Sequence, residues 1–295
     1  MIGKRLDGRV IAEKIRNELA DEVGSLKATH DITPGLAVVL VGNNPASLSY
    51  VNAKTDACKK LGIKSLQLNF DEDINTESLL SEIEFLNINP NIHGILVQLP
   101  LPNQREDQVI NKIVPEKDVD GLHPVNLGRL IRGEEGFLPC TPYGVLKILS
   151  RSEIDVSGKH AVVVGRSSLV GRPIANLLSQ KMGMGNATVT LCHTGTPDVG
   201  RFTRQADILI VAVGRPKAIT CDMVKQGAVV IDVGVNRVID SSRERGWRLV
   251  GDVDYNSVRK KVAAITPVPN GVGPMTITML LNNVLQAAKN SIADY

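Results

Sequence analysis

The chain predicts an α/β fold built on parallel sheets and divided into two domains, and three observations carry that reading. Short, continuously apolar, β-branched runs recur at 36–41, 94–99, 161–164, 187–191, 208–213 and 228–233, with helix-patterned stretches between them. Continuous rather than alternating apolar strands separated by helices are what a parallel sheet covered on both faces requires. The length, 295 residues, suits two cores of ordinary size better than one. Proline-rich punctuation falls at Leu99-Pro100-Leu101-Pro102 and again around Pro139 and Pro142, where helix and strand patterns stop.

Taken in order, the first half reads strand, helix, strand, helix, strand up to about Leu99. Pro142 suits the first turn of a helix running to about Arg151, the expected bridge into the second domain. After a Pro/Gly-rich segment the tail from about Pro274 to Ala293 is helical again and is expected to pack back on the first domain. No internal repeat of fixed period is present.

Composition narrows the function. Net charge is +3 from 34 basic and 31 acidic residues, scattered without a run that could track phosphates, so nucleic acid is not an expected partner. Aromatic residues make up only 3%, too few for a base-stacking platform. The residues from Met1 to Val10 carry Lys4, Arg5, Asp7 and Arg9 without an apolar segment, so no secretory signal is expected. Apolar runs are far short of the ~20 residues of a bilayer span, and the expected location is the cytoplasm. Cys58, Cys140, Cys192 and Cys221 form no Cys-x-x-Cys pair, and the five histidines are dispersed, so no metal is expected.

Ala161 to Val164 leads into Gly165-Arg166-Ser167-Ser168-Leu169-Val170-Gly171-Arg172-Pro173, which reads as strand, tight turn, helix. Glycines there permit close backbone approach, and a helix start offers unpaired N–H groups and the positive end of its dipole, so a dinucleotide diphosphate is the expected ligand. The spacing departs from Gly-x-Gly-x-x-Gly, and two glycines in an ordinary βα turn are the plainer alternative. The next strand ends at Cys192-His193-Thr194, with no acid to bind a ribose 2′-hydroxyl. Arg166 in the turn is a candidate partner for a 2′-phosphate, so NADP is expected over NAD. Ala212-Val213-Gly214 and Asp232-Val233-Gly234-Val235 read as strand ends that bring glycine against the cofactor.

A helix is expected over 45–61. At about 100° per residue, Val51, Ala57, Cys58 and Leu61 share a side with Tyr50 and Lys54, while Asn52, Asp56, Lys59 and Lys60 face away. Lys54 is thus a cation on an apolar face. Desolvation would lower its pKa and make neutral amine available for proton transfer; the alternative is a lysine whose stem covers apolar surface while its head reaches water. Gln98 closes the run 94–99 at the sheet edge where α/β proteins place ligands, although a glutamine there also serves as an ordinary hydrogen-bonding residue. Lys117-Asp118-Val119-Asp120-Gly121 reads by itself as a solvated, Asx-stabilised loop.

Together, Tyr50-x-x-x-Lys54, Val97-Gln98-Leu99-Pro100-Leu101-Pro102, Lys117-Asp118-Val119-Asp120-Gly121, Pro139-Cys140-Thr141-Pro142, the Gly165–Gly171 turn and Thr266-Pro267-Val268-Pro269-Asn270-Gly271-Val272-Gly273-Pro274-Met275 resemble the bifunctional methylenetetrahydrofolate dehydrogenase/cyclohydrolase family. The blocks stand in family order across nearly the whole chain. The resemblance implies oxidation of 5,10-methylenetetrahydrofolate by NADP⁺ to the methenyl form and hydrolysis to 10-formyltetrahydrofolate, both in one cleft between the domains. It implies a folate-binding catalytic domain over 1–138, joined by the tail helix 274–295, and a Rossmann-like NADP-binding domain over 139–273, each of three layers, in a homodimer.

By the same resemblance Lys54 is catalytic, Tyr50 shapes the site and stacks on the folate, Gln98 hydrogen-bonds Lys54, and Asp120 holds the pterin. Val97, Leu99, Pro100, Pro269, Gly271, Val272, Gly273 and Pro274 would line the substrate, and Thr141, Gly165, Arg166, Ser167, Val170, Gly171, His193, Thr194, Ala212, Val213, Gly214, Asp232, Gly234 and Val235 the cofactor. Two departures stand out. Asn270 replaces the family's usual glycine, and Thr194-Gly195-Thr196 follows His193 where relatives often have serine and a nearby basic residue. Rival readings are an NAD enzyme or one without hydrolysis, a non-catalytic nucleotide sensor, since fold alone does not fix function, and an interaction protein, for which no coiled coil or charged tail is present.

Overall fold

The computed structural model describes residues 2–181 and 183–293. In chain order the elements are β1 (Lys4–Arg5), α1 (Gly8–His30), β2 (Gly35–Val41), α2 (Pro45–Leu61), β3 (Lys64–Phe70), α3 (Thr76–Ile88), β4 (Gly94–Val97), α4 (Glu106–Lys112), α5 (Pro124–Arg132) and α6 (Cys140–Arg151). They continue with β5 (His160–Val164), α7 (Gly171–Ser179), β6 (Thr188–Cys192), α8 (Val199–Thr203), β7 (Ile208–Val211), β8 (Val229–Asp232), β9 (Asn236–Ile239), β10 (Trp247–Val250), α9 (Tyr255–Val258), β11 (Ala264–Ile265) and α10 (Val272–Ala293). The chain divides into two units, one of residues 13–140 and 277–295, the other of residues 1–12 and 141–276.

In the first of these units a parallel sheet runs in the order β3-β2-β4. All seven residues of β2 are buried, as a strand with a neighbour on each side and helices over both faces must be. Leu79, Ile83 and Leu86 of α3 pack with Ala37, Val39, Val41, Ile95 and Val97 into one core, where each large side chain contributes about 1.5–3 kcal/mol of burial. The middle strand of the first half, β3, offers no continuous apolar run because it lies at the sheet edge, with its residues half-buried or exposed.

The other unit holds a six-stranded parallel sheet in the order β1-β11-β8-β7-β5-β6. β7 is buried at all four positions, while β6 at the edge shows only Cys192 fully covered. Val162, Val164, Leu209, Val211, Val230 and Ile265 form its core. A two-stranded antiparallel ribbon, β9 with β10, follows β8.

The first twelve residues were expected in the catalytic domain and belong instead to the six-stranded unit. Lys4 pairs with Ala264 and Arg5 with Ile265, and Arg9 donates its backbone N–H to Asn270. A two-residue edge strand carries no periodicity, so its partner is decided by long-range pairing alone.

Candidate active site and dinucleotide site

α2 spans the expected residues, and its buried face carries Val51, Ala57, Cys58 and Leu61 together with Lys54, which is 9% exposed. Asn52, Asp56, Lys59 and Lys60 are exposed. Tyr50, expected on the same side as Lys54, is 49% exposed; its position one turn before Lys54 puts the ring at the margin of the buried face rather than within it.

The Lys54 Nζ donates to Gln98 Oε1 at 2.9 Å, and the other end of that amide, Nε2, donates to Leu99 O at 2.8 Å. The Gln98 amide is therefore fixed with its oxygen toward the lysine. β4 ends at Val97, one residue earlier than Gln98, yet the Gln98 N–H still bonds Val39 O at 2.9 Å and holds the residue at the carboxyl end of the sheet. Burial lowers the Lys54 pKa, and the neighbouring Asp120 and Cys140 pull it back up.

The Asp118–Gly121 loop is far from solvated. Asp118, 1% exposed, forms a parallel bridge with Ile95 beside β4. Its carboxylate accepts from Leu122 N at 3.1 Å, His123 N at 2.8 Å and Asn126 Nδ2 at 2.8 Å. Burial nevertheless raises the Asp118 carboxyl to about 6, against the pull of those donors. On the loop's other side Val119 O accepts from Asn283 Nδ2 at 2.9 Å and from the Cys140 thiol at 3.3 Å. Asp120 follows these two anchored residues, and its own carbonyl accepts from Cys140 N at 3.4 Å. Asn126, Cys140 and Asn283 were missed by sequence reasoning. Asn283 had a signal of the Lys54 kind, a polar residue on the apolar face of a helix.

In the six-stranded unit, β5 runs into the expected turn and α7 begins at Gly171, with Pro173 in its first turn. Gly165 has φ of +121°, and a Cβ there would lie 2.1 Å from Ala212 O, so only glycine fits. A Cβ on Gly171 would lie 2.0 Å from Gly165 O. The Ser167 hydroxyl accepts from Val170 N and Gly171 N, closing the turn, while Arg166, Ser167 and Ser168 are exposed. His193 Nδ1 accepts from Gly195 N at 3.1 Å and leaves Thr194 exposed at the end of β6. Val213 and Val235 are 38% and 46% exposed at the ends of β7 and β8.

A close-packed glycine turn at a helix start, an exposed arginine and exposed apolar side chains at neighbouring strand ends fit a phosphorylated dinucleotide. Asp232, expected beside the cofactor, is 2% exposed with its carboxylate turned inward. Thr141 Oγ1 lies 3.0 Å from Thr276 Oγ1. Pro269, Gly271, Gly273 and Pro274 belong to this unit, on the loop and first turn of α10. Among the described residues no three His, Cys, Asp or Glu side chains gather as metal ligands.

A buried amine fixed by an amide in one unit and a dinucleotide turn in the other define an oxidoreductase of the α/β class. Residues 6–120 match the sequence profile of the tetrahydrofolate dehydrogenase/cyclohydrolase catalytic domain, and residues 139–292 that of the family's NAD(P)-binding domain. The chain belongs to the tetrahydrofolate dehydrogenase/cyclohydrolase family. It is 54% identical to the bifunctional protein FolD 1 of Myxococcus xanthus, over 99% of this chain and 100% of that one. The crystal structure of the bifunctional FolD methylenetetrahydrofolate dehydrogenase/cyclohydrolase from Campylobacter jejuni is similar at a TM-score of 0.92 and 50% identity, covering 98% of this chain and 99% of that one. The Trypanosoma brucei methylenetetrahydrofolate dehydrogenase-cyclohydrolase, complexed with NADP and an inhibitor, is similar at a TM-score of 0.94 and 39% identity, covering 99% of each.

Proposed function

We infer that the protein oxidises 5,10-methylenetetrahydrofolate to the 5,10-methenyl form with NADP⁺ and hydrolyses that product to 10-formyltetrahydrofolate. The single observation that carries the hydrolytic half is the Lys54 ammonium site: buried, lowered in pKa, and 2.9 Å from a fixed amide oxygen.

What NADP⁺ supplies when bound is acceptance of a hydride from the methylene carbon. Gly165, Arg166, Ser167, Val170 and Gly171 hold the diphosphate and ribose phosphate, with Thr141, His193 and Thr194. Ala212, Val213, Gly214, Gly234 and Val235 support the rest of the dinucleotide, and Asp232 acts from beneath. Tyr50 stacks on the folate, Asp120 bonds the pterin, and Val97, Leu99, Pro100, Pro269, Gly271, Val272, Gly273 and Pro274 line the substrate.

In hydrolysis, water adds to the methenyl carbon to give a hydroxylated carbon bonded to both nitrogens, and the bond from that carbon to N5 then breaks as the carbonyl forms. The neutral Lys54 amine takes one proton from the water and returns it to N5, and the remaining hydroxyl proton leaves to solvent as the formyl carbonyl forms. A desolvated amine suits both transfers because its pKa is drawn toward the working pH. Gln98 fixes where that amine points.

A homodimer in the cytoplasm completes the reading. Ile239 on β9 is 94% exposed, an apolar contribution to a self-association surface on the cofactor unit, and four unpaired thiols suit a reducing compartment. No helix among the described residues is long and apolar enough to cross a membrane. The test follows NADPH and the methenyl compound separately in one assay with methylenetetrahydrofolate and NADP⁺. Both should appear, and the methenyl compound should then decay. NADP binding without folate-dependent NADPH would overturn the reading.

A further inference from the structure

Asp232 and Asp252 are 2% and 0% exposed, two carboxylates in the interior of the six-stranded unit that the proton transfers at Lys54 do not use. Their bonds run in series. Asp232, the last residue of β8, accepts from Gly234 N at 3.1 Å and Asp252 N at 2.9 Å on Oδ1, and from Val253 N at 2.9 Å on Oδ2. It thus grips the backbone that carries Asp252. Asp252 in turn accepts from Val213 N at 2.7 Å and Gly214 N at 2.9 Å on Oδ2, and from Asn236 Nδ2 at 2.8 Å on Oδ1.

The packing around the pair is reciprocal. A Cβ on Gly234 would stand 2.1 Å from the Asp252 carboxyl carbon, and one on Gly251 would stand 1.8 Å from Asp232 Oδ2. Each carboxylate therefore occupies the space a side chain would take on the segment opposite. Burying two acids is costly unless donors meet them, and burial pushes Asp232 up to about 7 against its three N–H partners. An arrangement of that cost at the end of a binding sheet calls for a reason beyond packing, because apolar side chains would fill the same space more cheaply.

The target of the series is the exposed Val213–Gly214 segment. With both amide N–H groups directed inward to Asp252, this segment has none left for an anion. It presents the Val213 side chain and the backbone of Gly214, where an added Cβ would meet nothing within 4 Å, an apolar ledge rather than a phosphate nest. The diphosphate is left to the Gly165–Gly171 turn.

We propose that Asp252, held in place by Asp232, is a positioning residue that sets this ledge for the dinucleotide and so determines NADP affinity. The proposal rests on the reading above that Val213 and Gly214 meet the cofactor. Removing the acceptor should free two amides and let the ledge move, a loss felt in NADP binding and not in hydrolysis at Lys54.

The experiment compares the parent with Asp252→Ala, Asp252→Asn, Asn236→Ala and Gly214→Leu. The KM for NADP⁺, the cyclohydrolase rate without nucleotide, and amide exchange at residues 213–214 are measured. Asp252→Ala should raise the KM for NADP⁺ by about tenfold or more, the scale of one lost charge-assisted anchor, with cyclohydrolase within about twofold of the parent. Asp252→Asn, which keeps an acceptor, should recover most of the affinity, and exchange should quicken at 213–214 ahead of the rest of the sheet. If Asp252→Ala does not fold, Asn236→Ala should show the same local exchange and a smaller rise in KM. Unchanged affinity and exchange in the folded variants overturns the proposal, as does a parallel fall of both activities. If Gly214→Leu also leaves NADP affinity intact, the cofactor reading of the ledge fails; if only Gly214→Leu weakens binding, the positioning role alone is lost.

Discussion

The Lys54 region and the Gly165 turn solve opposite problems. At Lys54 a titratable side chain is withdrawn from water into the face of α2, and its behaviour comes from what surrounds it: a fixed amide, a nearby carboxylate and an apolar wall. At Gly165 the side chain is absent, and function comes from backbone that no other residue could trace. The difference teaches where each site is vulnerable. The first is exposed to loss of the charge at position 54, the second to added volume at position 165.

The strongest way to break that contrast is Lys54→Met, which keeps the apolar stem and removes the proton carrier. Cyclohydrolase should fall by about 10²–10⁴, the range for a general acid–base group, while hydride transfer, whose chemistry belongs to the cofactor, falls less; hydrolysis of the methenyl compound at the parental rate would refute the role. Gly165→Ala attacks the other side. Its methyl would meet Ala212 O, and the φ of +121° is closed to alanine, so NADP affinity should drop by at least about tenfold through backbone strain of 1–3 kcal/mol, with cyclohydrolase retained. Titration calorimetry and a nucleotide-free hydrolysis assay separate the two.

Asp120→Asn sharpens the electrostatic half. Asp120 raises the Lys54 pKa against the burial that lowers it, so its neutralisation should lower that pKa further. A base is active when deprotonated, and the acid limb of the cyclohydrolase kcat profile should move to lower pH; a shift to higher pH counts against Lys54 as the base. The smallest effect is expected at Asn270, which holds φ of +76° where glycine has no Cβ penalty. Asn270→Gly should change stability by no more than about 1 kcal/mol, read as a small shift in thermal midpoint.

Much of this was legible beforehand where local pattern and tertiary role coincide. The continuous apolar runs located β2, β4, β5, β7 and β8 because doubly covered strands must be apolar throughout. The helix over Pro45–Leu61 and the burial of Lys54 followed from 3.6-residue periodicity. β3 lacked a comparable run because one of its sides is uncovered. The Asp118–Gly121 loop, taken by itself, read as solvated, since no local signal says that Asn126 and Asn283, the latter 164 residues from Val119, will close on it. Asp232 read as a cofactor residue because it sits at a strand end; which way its carboxylate turns depended on Gly251 leaving room.

By itself the sequence determined which residue types are present and in what periodic order, and hence the parallel α/β class, the amine on an apolar helix face and the glycine turn at a helix start. Only the tertiary structure decided that the first strand pairs beside β11, that Tyr50 stands half exposed, and that two acids lie buried under the Val213–Gly214 ledge. Periodicity is a property of neighbours a few residues apart, whereas edge pairing and the partners of a buried carboxylate are fixed by segments that meet only once the chain has closed on itself.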